Sequence, residues 1–333
     1  MSKVLKCAVA GLGRIGSTLE KDPLREKPAS HAGAIMNHPQ TRLCAGADPD
    51  EERRQEFEAD WNGVRTYPDS EEMIRKEKPH ILHISSWTET HQELLKMSLE
   101  LGVPVIVCEK PLADSLEAAR EIREVARTSS SRIIMNHERR FSRDYQSVRD
   151  AVKGKTFGSL LSLNARLYMG RNRPVEKVIY HDGTHILDII RYLTGKNLVI
   201  RRVSGDAAEE GGDLQILANA GTSSVNLEIS GGRDYLLFEL DLSFTSGRIR
   251  IGNGSYELWD SEESPYYSGF RSLKLRQNKW PGKTGYFSGM MDHAVAMTRN
   301  PGIRNESSLE DGYAVLELIE DILSVSGDVG IAT

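Results

Sequence analysis

Two short segments of this sequence carry side chains that could bind or move a proton during a reaction. In the first, Glu109-Lys110-Pro111 follows Val105–Cys108, an apolar run with the length of a buried strand. The proline restricts the backbone, so Lys110 would project from the end of the strand. Its ammonium group could then donate to a substrate hydroxyl or stabilise a developing alkoxide. The alternative is a surface Lys-Pro turn without a catalytic role.

The second segment is Tyr180–Asp188, which contains two histidines four residues apart. On an α-helix His181, His185, Asp188 and Tyr192 would share one face. The opposite side would carry apolar residues that can pack into a core: Ile186, Ile189, Ile190 and Leu193. We interpret the polar face as a site in which His185 takes a proton from a hydroxyl group while Asp188 orients its ring.

Two other interpretations of the histidine pair stay open. His-x-x-x-His is the spacing of zinc ligands on a helix, and Asp182 stands where H-E-x-x-H has its glutamate. Gly183 weakens the start of the helix, however, and the sequence offers no evident third ligand, so we expect no metal. The histidines could also simply cap the terminus of a helix.

A glycine-rich motif follows the first apolar run. Gly11, Gly13 and Gly16 are spaced G-x-G-x-x-G, with Arg14 and Ile15 between the last two. In a strand-to-helix turn, the first glycine permits the tight turn, the second admits a pyrophosphate, and the third lets helix and strand pack closely. Unpaired N–H groups of the helix would face the phosphates. The alternative is a purely structural turn.

Asp48 ends the second apolar run, Leu43–Asp48. An acidic residue at this strand end typically accepts hydrogen bonds from the adenosine ribose hydroxyls, which favours NAD over NADP. It lies 32 residues after Gly16, whereas the usual separation is about 20. A proline-bracketed, charged loop over Lys21–Ala29 accounts for the excess. Asp48 could instead cap the helix predicted over Pro49–Asp60.

Short apolar runs alternate with helical patterns as far as residue 136, which predicts a parallel sheet covered on both faces. Ligands of such sheets lie beyond the carboxyl ends of the strands. We therefore expect the cofactor to contact residues that end or follow the later strands: Ser85, Ser86, Trp87 and His91 after one, Glu109 and Lys110 after the next, and Asn136 after the last.

From about Asp144 the pattern changes to strand-like runs separated by glycine turns, which is typical of antiparallel pairing. The predicted fold is a Rossmann doubly wound parallel-sheet domain over 1–136, followed by an α+β domain over 137–333 with a large open, mainly antiparallel sheet. We expect the first domain to bind NAD(P) and the second to bind substrate and form the oligomer.

Composition limits the possible partners. The 333 residues carry a net charge of −5, which argues against binding of nucleic acid or acidic membranes. The three cysteines have no C-x-x-C spacing, and no apolar run reaches about 18 residues. We expect free thiols, a cytoplasmic protein, a small-molecule substrate, and a homodimer or homotetramer.

Taken together, these motifs resemble the Gfo/Idh/MocA oxidoreductases, a family that includes glucose–fructose oxidoreductase and inositol dehydrogenases. The resemblance spans nearly the whole chain. It rests on Gly11–Gly16, Ala47–Asp50, Glu109–Pro111, Arg139–Phe141 and Gly183–Asp188. It implies a two-domain fold with NAD(P) across a cleft and a sugar or cyclic polyol on the open sheet. It also implies that Lys110 binds the reacting hydroxyl and that His185 is the acid/base.

Three positions depart from the family pattern. His181 stands where many members have aspartate, Ser85–Thr88 replaces a Thr-Pro pair, and Glu138 replaces an asparagine. The leading hypothesis is an NAD(H)-dependent oxidoreductase that transfers hydride between nicotinamide and a carbon of a sugar, sugar acid or cyclic polyol, with Lys110, His185 and His181 as catalytic residues. The alternatives are a redox-cycling NAD-dependent glycoside hydrolase or lyase, and a non-catalytic nucleotide-binding protein.

Overall fold

The structure is a computed structural model that describes residues 4–171 and 173–326. The chain divides into two compact units. The first comprises Met1–Ser142 and Gly285–Leu316, and the second comprises Arg143–Thr284 and Glu317–Thr333. The sequence predicted a single boundary after residue 136, whereas this division returns a later segment of the chain to the first unit.

The first unit contains a parallel sheet. Its strands are β1 (Leu5–Ala10), β2 (Thr41–Ala47), β3 (Thr66–Tyr67), β4 (Ile81–Ile84), β5 (Val105–Cys108) and β6 (Arg132–Met135). They are ordered β3-β2-β1-β4-β5-β6, and every pairing is parallel. The strands β4 and β5 are buried throughout, as expected of a sheet covered on both faces. The predicted doubly wound Rossmann sheet is thereby confirmed. Strand β3 was not predicted from the sequence, because it is only two residues long.

The crossover helices of this unit are α1 (His31–Asn37), α2 (Glu51–Asp60), α3 (Ser70–Glu77), α4 (His91–Glu100) and α5 (Leu116–Thr128). Short 3-10 turns cover Thr18–Lys21, Thr88–Thr90 and Glu138–Phe141. Polar side chains cap several helices: the Ser30 hydroxyl accepts from the N–H of Gly33, and the Ser115 hydroxyl accepts from the N–H of Ala118.

Before β8, the helical segments of the second unit are α6 (Arg143–Lys153), α7 (Val175–Val178), a π-helical segment Ile179–Gly183, and α8 (Thr184–Thr194). Its strands are β7 (Leu160–Met169), β8 (Leu198–Ser204), β9 (Asp213–Ala220), β10 (Ser223–Ser230), β11 (Leu236–Phe244), β12 (Gly247–Gly252), β13 (Ser255–Glu263) and β14 (Arg271–Gln277). The order is β14-β13-β12-β11-β7-β10-β9-β8. Only the β7–β10 pair is parallel within this sheet as described, so the predicted mainly antiparallel sheet is confirmed.

Burial alternates along β9, β10 and β11, so one face of this sheet is packed and the other is open. The partly exposed face carries ion pairs between neighbouring strands, such as Arg166 with Glu239 at 3.3 Å and Arg250 with Glu257 at 2.6 Å. Strand β14 was not predicted from the sequence, because most of its residues are exposed and no buried alternation marks them.

Two helices close the described chain, α9 (Tyr286–Arg299) and α10 (Leu309–Val325). The buried face of α9 belongs to the hydrophobic core of the first unit, where Phe287, Met290 and Met291 join residues of β1 and β5. This packing explains why the chain returns to the first unit after the second sheet. The division between the units falls within α10, after Leu316.

Candidate active site

The three glycines after β1 occupy three different environments. Gly11 has a φ of +91°, and a Cβ atom there would lie 2.5 Å from the backbone nitrogen of Ser86. A Cβ atom on Gly16 would overlap the carbonyl oxygen of Gly11. A Cβ atom on Gly13 would instead meet only the Nη1 atom of Arg53, at 3.9 Å. Gly11 and Gly16 therefore serve packing, and Gly13 leaves space in which a pyrophosphate fits.

The helical turn after these glycines is interrupted by an insertion. The carbonyl of Gly13 accepts from the N–H of Ser17 at 2.9 Å, as in a helix. The carbonyl of Arg14 accepts from the N–H of Leu19 at 2.9 Å. The carbonyls of Ile15 and Gly16 are then bonded from beyond the loop, by His31 at 3.0 Å and Ala32 at 2.9 Å. The segment 18–29 is thus looped out of one interrupted helix. This loop accounts for the long separation between Gly16 and Asp48.

Asp48 connects the end of β2 to the glycine turn. It is 4% exposed. Its carboxylate accepts from the N–H of Leu12 at 2.9 Å and from the N–H of Asp50 at 3.0 Å. Asp50, and not Asp48, caps α2, so the capping interpretation of Asp48 is wrong. Each carboxylate oxygen can accept more than one hydrogen bond, so the carboxylate is still able to accept from a ribose hydroxyl.

The loop after β4 is tied to the glycine turn and to the loop after β5. The hydroxyl of Ser85 donates to the carbonyl of Gly11 at 2.8 Å. His91 is buried, and its two ring nitrogens lie 2.8 Å from the carbonyl oxygen of Pro111 and 3.3 Å from that of Ser86. Burial lowers the pKa of His91 from its ordinary value, even though the two carbonyls act in the opposite direction.

The other predicted contacts of this region differ in exposure. Trp87 is 70% exposed, as a side chain available to a ligand would be. The hydroxyl of Ser86 lies 2.6 Å from that of Thr90. Arg14 is exposed, and Ile15 packs in part against the core of the unit.

Glu109 and Lys110 follow β5 at the carboxyl edge of the sheet. Glu109 is 7% exposed, and its carboxylate accepts from His31 Nε2 at 2.9 Å and from Asn136 Nδ2 at 2.5 Å. Burial alone would raise the pKa of Glu109, but the hydrogen bond and electrostatic attraction of His31 outweigh it, with Lys110 and Asn136 adding to them, so the pKa is lowered. Lys110 is half-buried, and its peptide bond to Pro111 is cis.

Asn136 follows β6 and completes this side of the site. It is 2% exposed, and its N–H donates to the carbonyl of Cys108 at 2.7 Å. Its Nδ2 atom donates to Glu109, whereas its Oδ1 atom has no hydrogen-bond partner within residues 4–171 and 173–326. A buried acceptor without a donor is costly, so a donor from a bound ligand would fit here. With the open space at Gly13, this atom indicates that the residues present suit a dinucleotide.

Sequence reasoning missed two histidines of this unit. His31 and His83 are fully buried, and their Nδ1 atoms lie 2.9 Å apart. His31 also binds Glu109, as described above. The available signal was a histidine within the otherwise apolar strand Ile81–Ile84, because a buried polar group requires a partner. Nothing in the local sequence identifies His31 as that partner.

The Arg139–Phe141 motif is structural in the first unit. Arg140 is 5% exposed and donates to the carbonyl of Glu306 at 2.7 Å and to the carboxylate of Asp311 at 3.0 Å. Phe141 belongs to the hydrophobic core. These contacts connect the 3-10 turn after β6 to the segment around the start of α10.

The histidine segment of the second unit differs from the predicted amphipathic helix. His181 lies in the π-helical segment, and its side chain is 65% exposed, with Nδ1 3.2 Å from Oδ1 of Asp182. His185 lies in the first turn of α8 and is half-buried. The π-helix takes more residues per turn than an α-helix, so the predicted alignment of His181 with α8 is wrong.

The rest of the predicted polar face, His185, Asp188 and Tyr192, lies on the regular α-helix α8. Asp188 and Tyr192 are 1% and 6% exposed, so they are buried polar groups, and the orientation of the His185 ring by Asp188 stays a prediction. The guanidinium group of Arg149, on α6, lies 4.1 Å from the centroid of the Tyr192 ring. In the π-helical segment, Asp182 contacts Arg173 at 3.4 Å as well as His181.

The described residues contain neither a metal-binding cluster of side chains nor a membrane-spanning helix. No group of three or more histidine, cysteine, aspartate or glutamate side chains there is arranged to bind a metal ion. In the same residues, no helix combines the length and the apolar character needed to cross a membrane.

Comparisons with known proteins match this description. Residues 5–137 match the model of the Gfo/Idh/MocA oxidoreductase family, described as an NAD-binding Rossmann fold. An inositol 2-dehydrogenase of Paracoccus denitrificans is 28% identical over 203 residues, covering 60% of this chain and 57% of the relative. An inositol 2-dehydrogenase of Streptomyces avermitilis is 28% identical over 266 residues, covering 76% of this chain and 74% of the relative.

A solved structure shows how far the similarity of fold extends. An oxidoreductase from Agrobacterium radiobacter, in complex with NAD+, L-tartaric acid and magnesium, shares 18% identity with a TM-score of 0.73. The similarity covers 97% of both chains, so the fold is shared well beyond the Rossmann unit. Residues 5–137 of the first unit therefore match the NAD-binding Rossmann domain of the Gfo/Idh/MocA oxidoreductase family.

Proposed function

We propose that this protein is an NAD-dependent dehydrogenase that transfers hydride between nicotinamide and a hydroxyl-bearing carbon of a sugar, sugar acid or cyclic polyol. The observation that carries the proposal is Lys110 at the carboxyl end of β5, beside the anchored Glu109, in a unit with the family's NAD-binding fold. The two relatives named inositol 2-dehydrogenase favour a cyclic polyol. The chain spans 57% of the first of these relatives.

The residues of the first unit would bind the cofactor in two groups. The N–H groups after Gly13 would hold the pyrophosphate, and Asp48 would accept from the adenosine ribose. Glu109 and the Oδ1 atom of Asn136 would accept from donors of the nicotinamide half. When bound, NAD supplies the ring carbon that accepts or returns the hydride.

The reacting hydroxyl requires a donor and a base from this chain. The ammonium group of Lys110 would donate to the substrate oxygen and stabilise negative charge on it. His185 would take the hydroxyl proton as the carbon is oxidised. Asp182 contacts His181 at 3.2 Å, and we expect this pair to serve where many family members have an aspartate.

A spectrophotometric screen tests the proposal. The purified protein is incubated with NAD or NADP and a panel of cyclic polyols, sugars and sugar acids, starting with inositol, and NADH formation is followed by absorbance. We expect continuous NADH formation with NAD and at least one polyol. Product without net NADH would instead identify a redox-cycling hydrolase or lyase. NAD binding without any product would identify a non-catalytic nucleotide-binding protein. The cytoplasmic location and homo-oligomeric state stay predictions.

A further inference from the structure

The buried pair of histidines in the first unit has no role in the mechanism proposed above, although it contacts the cofactor side of the site. His31 reaches Glu109, and His83 reaches only His31 within the described part of the chain. Burying two imidazole rings costs desolvation free energy, which their hydrogen bonds must offset. Their position next to the Glu109 carboxylate therefore suggests a role for the pair. Phe287 packs edge-on against the His31 ring, with centroids 5.3 Å apart, which restricts the ring further.

The hydrogen-bonding capacity of these groups fixes their orientation. An ionised carboxylate only accepts, so the Nε2 atom of His31 must carry the proton of its 2.9 Å bond to Glu109. The Nδ1 atoms of His31 and His83 share one proton across their 2.9 Å contact. The pKa of His83 is lowered well below its ordinary value, mainly by burial and to a lesser degree by the neighbouring His31. His83 therefore stays neutral, and its hydrogen bond orients the His31 ring.

His31 also connects the two halves of the cofactor site. Its backbone N–H donates to the carbonyl of Ile15 in the glycine turn at 3.0 Å, while its side chain donates to Glu109. The same residue therefore starts α1 beyond the inserted loop and holds the carboxylate after β5. A displacement of His31 would disturb the glycine turn and Glu109 together.

We propose that His31, oriented by His83, is the positioning residue that holds the Glu109 carboxylate in place to accept hydrogen bonds from the nicotinamide half of the dinucleotide. This inference rests on the proposed function for the role of Glu109. It assigns His31 no contact with the cofactor, because His31 is fully buried beneath that carboxylate. The effect of His31 on cofactor binding must therefore pass through Glu109.

A double-mutant cycle tests this coupling by NADH affinity, measured from NADH fluorescence and independent of any substrate. The variants are His31→Leu, Glu109→Gln and the two combined. Each single substitution is expected to weaken NADH binding about tenfold, which corresponds to about 1.4 kcal/mol. The combined variant is expected to bind no more weakly than Glu109→Gln, because residues that act as one unit are not additive.

Two further variants separate positioning from general damage. His31→Gln keeps an N–H donor near the position of Nε2 and is expected to recover most of the lost affinity. His293→Leu removes a half-buried histidine of the same unit that bonds Asn305 and Glu306, and it is expected to bind NADH like the wild type. Thermal unfolding of each variant establishes that the protein is folded when titrated.

Additive losses from His31→Leu and Glu109→Gln would overturn the inference, as would unchanged NADH affinity in His31→Leu or absence of NADH binding in the wild type. The proposed function fails in a different way. If the wild type binds NADH and the cycle shows coupling, but no polyol or sugar is oxidised, then the positioning role stands and the dehydrogenase assignment does not.

Discussion

The chemically active segments of the two units are built in different ways. In the first unit, Glu109 is buried and held by side chains from α1 and from the end of β6. In the second, His181 is 65% exposed on a π-helical segment, and its contact with Asp182 is to its neighbour in sequence. The first arrangement holds a cofactor group rigidly, because its partners come from separate packed elements. The second arrangement leaves the His181 side chain mostly in solvent.

The largest effects should come from the two groups proposed to act on the hydroxyl. Lys110→Ala and His185→Ala are each expected to lower kcat by about a hundredfold to ten-thousandfold, because each removes a charge or proton acceptor used in the transition state. NADH affinity should change by less than about threefold. Steady-state kinetics and NADH titration measure both quantities. Turnover near the wild-type rate in both variants would remove these residues from the mechanism.

The glycine turn offers a matched pair of substitutions within the rigid unit. Gly16→Ala places a Cβ atom against the Gly11 carbonyl and is expected to lower the free energy of unfolding by about 2–4 kcal/mol. Gly13→Ala places its Cβ atom 3.9 Å from Nη1 of Arg53, an ordinary contact, so stability should be kept while NADH binding weakens about tenfold or more. Denaturant unfolding and NADH titration separate the two effects. Equal losses of stability would contradict the distinct roles of the two glycines.

Glu109 should make the rigid site sensitive to pH in one direction. The pKa of Glu109 is lowered in the folded protein. The ionised Glu109 carboxylate therefore stabilises the fold above the ordinary glutamate pKa of about 4.3, and this stabilisation is lost as the pH falls through the pKa of the folded protein. The charged or titratable groups around it are His31, Lys110, His91 and Cys108.

Glu109→Gln should therefore unfold more easily than the wild type at pH 7, by about 1–3 kcal/mol, and the difference should shrink in acid. Urea unfolding of both proteins across this range measures it. A difference that grows as the pH falls would contradict the lowered pKa.

The smallest effects are expected at the π-helical segment and would sharpen the contrast between the units. Asp182→Asn is expected to lower kcat about tenfold, since Asp182 contacts both His181 and Arg173 and is 15% exposed. His181→Ala should cost only about twofold to threefold, because its side chain is mostly in solvent. The reverse order in kcat measurements would show that His181, rather than Asp182, replaces the family aspartate.

Much of the first unit could be predicted from local patterns. The alternation of apolar strands and helices, the G-x-G-x-x-G turn, and the position of Glu109 and Lys110 after β5 all depend on neighbouring residues. In the second unit local spacing misled the prediction at His181. An α-helical repeat was assumed from His181 onward, but the π-helical segment changes the repeat before α8 begins.

The sequence alone determined the class of fold, the place of the nucleotide turn and the strand ends that carry the reactive groups, because each is encoded by residues within a few positions of one another. The tertiary structure alone decided how those groups are held. His31 meets His83 and Glu109 across 52 and 78 positions of sequence, and α1 continues a helical turn from which residues 18–29 are looped out. Such contacts depend on how strands and helices pack, and no local pattern records them.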